Sequence, residues 1–85
     1  MLSVFSVFDV KVGSYSPPFF MAHKGLAIRA FTDLVNDGSS SISKYSSDFI
    51  LFEIGSFDEH SGCVKMHESF INLGVALDYK NKSKI

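Results

Sequence analysis

Over residues 2–12 the apolar side chains return at every second position: Leu2, Val4, Phe8, Val10 and Val12 share one parity, with Ser3, Asp9 and Lys11 on the other. A period of two is the signature of a half-buried strand. Phe5 and Val7 break it, because they are apolar on the nominally outer parity. That second surface is either a dimer contact or two exposed apolar residues. Residues 48–57, DFILFEIGSF, alternate again, with Ile50, Phe52 and Ile54 inward against Glu53 and Ser56. Phe49, Leu51 and Phe57 make both of its faces apolar, which predicts a central strand. Residues 58–62 carry turn chemistry, and residues 63–67 read as the returning strand with Val64 and Met66 inward.

Between these strands, KGLAIRAFTDLVN over residues 24–36 repeats apolar residues at helical spacing: Ala27, Ile28, Phe31, Leu34 and Val35 form one stripe. Gly38 suits the helix stop. The segment GSYSPPFF, residues 13–20, reads as a stiff irregular loop, since two prolines remove two backbone donors. Its Tyr15, Phe19 and Phe20 either stack on bases or fold down as a lid on the core. SSSISKYSS, residues 39–47, reads as a polar loop. ESFINLGVALDY, residues 68–79, fits helix and strand about equally; a short helix or irregular turn leading into an extended end is expected, with Gly74 weakening either. The resulting expectation is an α+β domain over residues 1–79: a small antiparallel or mixed sheet of three to four strands, in the order β-α-β-β plus a short C-terminal element, covered by one helix. Residues 80–85 are expected to be a basic, flexible tail.

A chain of 85 residues buries only about 60–65% of its unfolded surface. Its one cysteine, Cys63, excludes an internal disulfide and fits a reducing cytoplasm. Eight Lys+Arg against nine Asp+Glu give a net charge of −1, so no global field draws the chain onto duplex DNA. Charged residues interrupt every apolar run well short of a membrane span, and the first residues carry no signal-peptide pattern. There is no GxxxxGK, GxGxxG, HExxH or GxSxG string. His60, Cys63 and His67 are zinc-ligand types, yet on a strand Cys63 and His67 stand about 13 Å apart at roughly 3.3 Å per residue, too far for one zinc. No enzyme activity, cofactor or metal is expected.

The strings FSVFDVKVGSYSPPFF, KGLAIRAFTDLVND, SDFILFEIGSFDEHSG and LGVALDY together resemble the small nonstructural protein of gokushoviruses, the single-stranded DNA phages of the Microviridae. The similarity runs from about Phe5 to Tyr79. Its most specific pieces are Pro17-Pro18-Phe19, Ala27-Ile28-Arg29-Ala30-Phe31 with Asp33, and Leu51-Phe52 with Gly55, Phe57-Asp58 and Gly62. The resemblance implies a protein of the host bacterial cytoplasm, outside the virion shell, that binds DNA or assists genome synthesis and packaging.

Two functional expectations follow. The first is single-stranded DNA binding, with Lys24, Arg29, Lys44, Lys80, Lys82 and Lys84 meeting phosphates and Tyr15, Phe20 and Tyr45 stacking on bases. Arg29, the only arginine, either grips a phosphate bidentately or pairs loosely with Asp33. The second is a protein-interaction module that modulates phage or host replication machinery without touching DNA. A homodimer through Phe5, Val7 and Leu51 is expected in either case, because one thin sheet with one helix leaves apolar surface uncovered.

Overall fold

A computed structural model describes residues 1–80. Strand β1 (Leu2–Asp9) lies between β4 (Phe49–Asp58) on one side and two short strands on the other, β2 (Ser14–Tyr15) and β3 (Phe19–Met21). Strand β5 (Cys63–Val75) pairs with the far side of β4, and every pairing is antiparallel. β4 is therefore central, as its two apolar faces suggested.

The architecture corrects the expected fold class. The protein is sheet-rich, with five antiparallel strands in one sheet and one long helix, α1 (Lys24–Val35), rather than three or four strands under a helical cover. Part of the additional strand content comes from GSYSPPFF. Ser16 carries the ladder across the gap between β2 and β3: its N–H donates to the Val7 carbonyl at 2.8 Å, and its Oγ accepts the Val7 N–H at 3.0 Å. The Ser6 hydroxyl donates to the Ser16 carbonyl at 2.7 Å. Pro17 and Pro18 then sit on the outer row of the sheet, where proline is tolerated.

The remainder comes from the C-terminal segment, which stays extended through Val75 and only then closes in a 3-10 turn, Ala76–Tyr79. The order of extended and turned chain is thus the reverse of that expected. Gly74 has φ of +127°, and a Cβ there would meet the Tyr79 ring at 2.8 Å. The Tyr79 hydroxyl donates to the Leu73 carbonyl, so the glycine lets the ring lie against the strand.

The serine-rich segment is also ordered, as α2 (Ser41–Lys44) and a 3-10 turn, Ser46–Asp48. Ser40 caps α2, its Oγ accepting the Ser43 N–H at 3.0 Å while its hydroxyl donates to the Leu34 carbonyl at 2.6 Å. Serines read as loop-formers are cap residues here.

The core lies between the sheet and these helices. α1 buries Ala27, Phe31 and Val35 against Phe5, Val7, Leu51 and Ala76, with Phe19, Ile42, Phe49 and Leu73 packed around them. Phe5 stacks on Phe19 at 5.7 Å, and Phe31 meets Tyr79 edge-on at 5.9 Å. Phe5, Val7 and Leu51, expected on an outward interface, are instead the closed core beneath α1. Both parities of β1 are apolar, and the helical stripe covers the one that Phe5 and Val7 occupy. Among the described residues no helix is long and apolar enough to cross a membrane.

Replacing Ser16 by Ala leaves the Val7 N–H without its acceptor on a part-buried edge. Ser16→Ala is expected to lower unfolding free energy by about 1–3 kcal/mol, read from urea denaturation at unchanged m-value; a shift within experimental error would mean the two short strands do not depend on that hydroxyl.

Candidate binding face

Directly paired residues in an antiparallel ladder point to the same side of the sheet. The pairs Leu2↔Phe57, Ser6↔Phe52 and Phe8↔Ile50 therefore share the face opposite Phe5 and Val7. Tyr15 joins it through Phe8, Phe20 through Val4, Val64 through Phe57 and Met66 through Gly55. The core cluster that engages the helices contains none of these side chains, so no helix packs on this second apolar face; its own rings close its centre, where Val4 is 2% and Ser6 1% exposed, and its rim stays open.

Its aromatic rings form two groups. Tyr15 lies 4.6 Å from Phe8, 6.0 Å from Phe52 and 5.8 Å from Phe70, the last edge-on. Phe20 meets Phe57 edge-on at 5.6 Å. From Phe8 to Leu2 the strand spans about 20 Å at ~3.3 Å per residue, which sets the separation of the two groups. Exposure is high for apolar side chains: 47% for Tyr15, 43% for Phe20, 38% for Phe70 and 50% for both Val64 and Met66. Val64 and Met66 were expected to point inward. They instead share the face of Phe57, opposite the helices.

Charge is nearly absent from this face. Glu68, by its place between Met66 and Phe70 in β5, is the one charged residue on their parity among the described residues. The cations lie elsewhere. Lys24 and Arg29 are exposed on α1, and Lys44 ends α2. Lys80 donates from Nζ to the Ser43 carbonyl at 2.7 Å. Tyr45 caps α2 and lines a shallow cavity of about 250 Å³ with Asp9, Lys11, Asp48 and Phe49. Lys82 and Lys84 fall outside the described residues.

Residues 2–79 match the protein family described as Phage ORF5 protein. The chain belongs to that family. No curated protein and no solved structure matches it. Membership of the ORF5 family agrees with the phage source that the sequence resemblance implied, and places the chain among phage accessory-type proteins.

Mapped onto this ORF5 chain, the expected site residues separate. Tyr15 and Phe20 stand on the open face, while Tyr45, Lys24, Arg29, Lys44 and Lys80 belong to the helical side. Phe8, Phe52, Phe57, Phe70, Val64 and Met66 complete the open face and were not singled out as site residues. The signal that could have found them was the apolarity of both faces of β4, which already implied a surface beyond the helix-covered core.

On the opposite side of β5, His67 Nε2 meets Glu53 Oε2 at 2.8 Å. That pair ties β5 to β4 where their register slips between Glu53 and Gly55. No group of three His, Cys, Asp or Glu among the described residues comes together as a metal site. The groove of about 380 Å³ between the β1 edge and the helices is lined mainly by Val7, Phe19, Leu34, Ile42 and Phe49. Its carboxylate, Asp9, is engaged by the N–H groups of Lys11 at 3.0 Å and Val12 at 3.4 Å.

The hairpin that carries Val64 and Met66 is closed by Asp58, whose Oδ1 accepts the His60 N–H at 2.9 Å. That hydrogen bond holds the Asp58 carboxyl below its ordinary value of 3.8. A depressed carboxylate contributes its stabilisation above the unfolded-state pKa and loses it as pH falls through the lower folded-state value. An NMR titration is therefore expected to show Asp58 ionising below pH 3.8, with the His60 amide signal moving over the same range. A midpoint at or above the ordinary carboxylate value would mean the turn does not hold that bond in solution.

Proposed function

We propose that this phage accessory protein acts by protein contact through the open face of its sheet, modulating phage or host machinery for genome synthesis and packaging. The observation that carries the reading is the apolar face that no helix covers, rich in Phe with Tyr15 beside them and bearing, among the described residues, only Glu68 as a charge. An apolar patch of this kind on a small soluble domain marks an interaction surface, and buried aromatic anchors are the usual source of affinity in protein interfaces. The genome-handling context rests on the ORF5 family and on the resemblance to gokushovirus nonstructural proteins.

Single-stranded DNA binding is a second reading, favoured by the exposed rings of Tyr15 and Phe20, since base–aromatic stacking contributes about 1–3 kcal/mol per base. The cations argue against it as the main activity. A strand lying on the rings runs along one side of the sheet, while Lys24, Arg29, Lys44 and Lys80 occupy the other. Phosphate neutralisation, which gives a salt slope near −0.7 per phosphate on single strands, is therefore separated from stacking. Glu68 beside Phe70 repels phosphate further.

The two readings separate in one pair of experiments. Nuclease-treated capture from cells carrying the phage is expected to retain protein partners with the wild-type chain and with Lys24→Ala/Arg29→Ala, and to lose them with Met66→Asp/Phe70→Asp. Fluorescent-oligonucleotide titration at low salt is expected to show weak binding with a shallow salt slope, lost on Tyr15→Ala and strengthened by Glu68→Gln. Tight binding with a steep slope that disappears in the Lys24/Arg29 variant would instead establish a phosphate-binding site on the helical side and refute the protein-contact reading.

A further inference from the structure

Resting on the reading of the open face as a contact surface, we propose that in the free protein its occupant is a second copy of this chain, the two sheets packed face to face so that each covers the other until a phage or host partner displaces it. The partner implied by the sequence was also a second copy, but through residues now seen to be the core; the surface here is a different one.

The area supports this occupant. A fully exposed aromatic side chain offers about 150–250 Å². At the fractional exposures of Tyr15, Phe20, Phe70, Val64 and Met66, with smaller contributions from the half-buried Phe8, Ile50, Phe52 and Phe57, the face leaves on the order of 600 Å² of apolar surface per copy. Two copies then bury about 1,200 Å², the lower end of the standard protein interface. The contact is thus large enough to be specific and small enough to be reversible.

Charge points the same way. In a two-fold contact the same patch meets itself, so a face dense in one sign of charge would meet like with like. Among the described residues this face holds one charged residue beside its apolar side chains, and the whole chain has a net charge of only −1. A partner selected by charge would need complementary groups that the face does not present. Geometry supplies the remaining condition: a twisted sheet with one apolar face under helices and the other bare is half of a two-sheet sandwich, whose sheets stack about 10 Å apart.

The test is sedimentation velocity of the full chain from about 5 to about 500 µM, a range that spans weak and standard-size contacts. Wild-type protein is expected to rise in weight-average mass from one chain toward two, and to do so equally at high salt. Val64→Glu/Met66→Glu, at two half-exposed positions, is expected to weaken association at least ~10-fold, with a thermal melt unchanged at concentrations where wild type is monomeric. Leu77→Glu, exposed on the closing turn, serves as a control that leaves association intact. A chain that stays monomeric throughout, or a Val64/Met66 variant that associates like wild type, overturns the proposal. If the chain is monomeric while nuclease-resistant capture still depends on Met66 and Phe70, the second copy is wrong and the protein-contact reading survives. If wild type dimerises through Val64 and Met66 but captures nothing after nuclease, the dimer stands and the wider reading falls.

Discussion

One sheet with two apolar faces, and helices enough to cover one of them, is the constraint from which the rest of the molecule follows. β1 and β4 contribute Phe5, Val7 and Leu51 to one side and Val4, Phe8 and Phe52 to the other. The polypeptide between them supplies one helix of 12 residues and a short capped turn. That layer closes over Phe5, Val7 and Leu51. At about 25 cal/mol per Å², some 600 Å² of uncovered apolar surface represents on the order of 15 kcal/mol of gross burial not realised within a single chain. Association would offset much of this gross figure through lost rigid-body freedom and side-chain ordering, so a covering partner gains only the surplus.

The sheet that presents this face is not a regular ladder, and several of its irregularities lie beside a named contact. Between β1 and β4 the register shifts at Val4/Phe5. Between β4 and β5 it shifts twice, once beside Gly74, where the Tyr79 ring lies against the strand, and once beside the Glu53–His67 pair. At the outer row Ser16 replaces a strand residue with its own hydroxyl. Register slips of this kind change which side a residue faces. The slip between Leu51 and Phe52 puts Gly74 opposite Leu51 and Asn72 opposite Phe52, while Leu73 packs on the core and Phe70 joins Tyr15 and Phe52 on the open side.

This explains how much of the molecule was legible beforehand. α1 could be read nearly to its ends, because Ala27, Ile28, Phe31, Leu34 and Val35 share one helical stripe but fall on both parities of a strand. The central place of β4 was visible in its two-sided apolarity. The parity of β1 could not be decided locally: Val4 and Phe8 are as apolar as Phe5 and Val7, and only the docking of α1 selects the set beneath the helix, Val4 being buried on the other side. The double proline hid two short strands because its cost depends on sheet position, which is a tertiary property. The segment from Glu68 to Val75 was ambiguous for a related reason, since bulges interrupt the period of two by which a strand is recognised. The binding face inherited these ambiguities. Tyr15 and Phe20 were identified for their aromatic character, whereas their neighbours Phe8, Phe52 and Phe57 had been assigned inward or to the general apolarity of β4.

The separation of rings from cations bears most directly on how such a protein works. Stacking and phosphate neutralisation reinforce each other on a strand only when both can be reached along one path of backbone. Here the sheet itself stands between them, with Tyr15, Phe20 and Phe70 on one side and Lys24, Arg29 and Lys44 on the other. Covering the open face with any protein partner would leave the helical side, with its cations, as exposed surface. The same contact would thus also decide which chemistry the assembled protein offers to its surroundings, withdrawing the aromatic rings and leaving Lys24, Arg29 and Lys44 on the helical side. An accessory protein built this way changes what it presents by changing what it is bound to, and the sheet needs no internal rearrangement to do so.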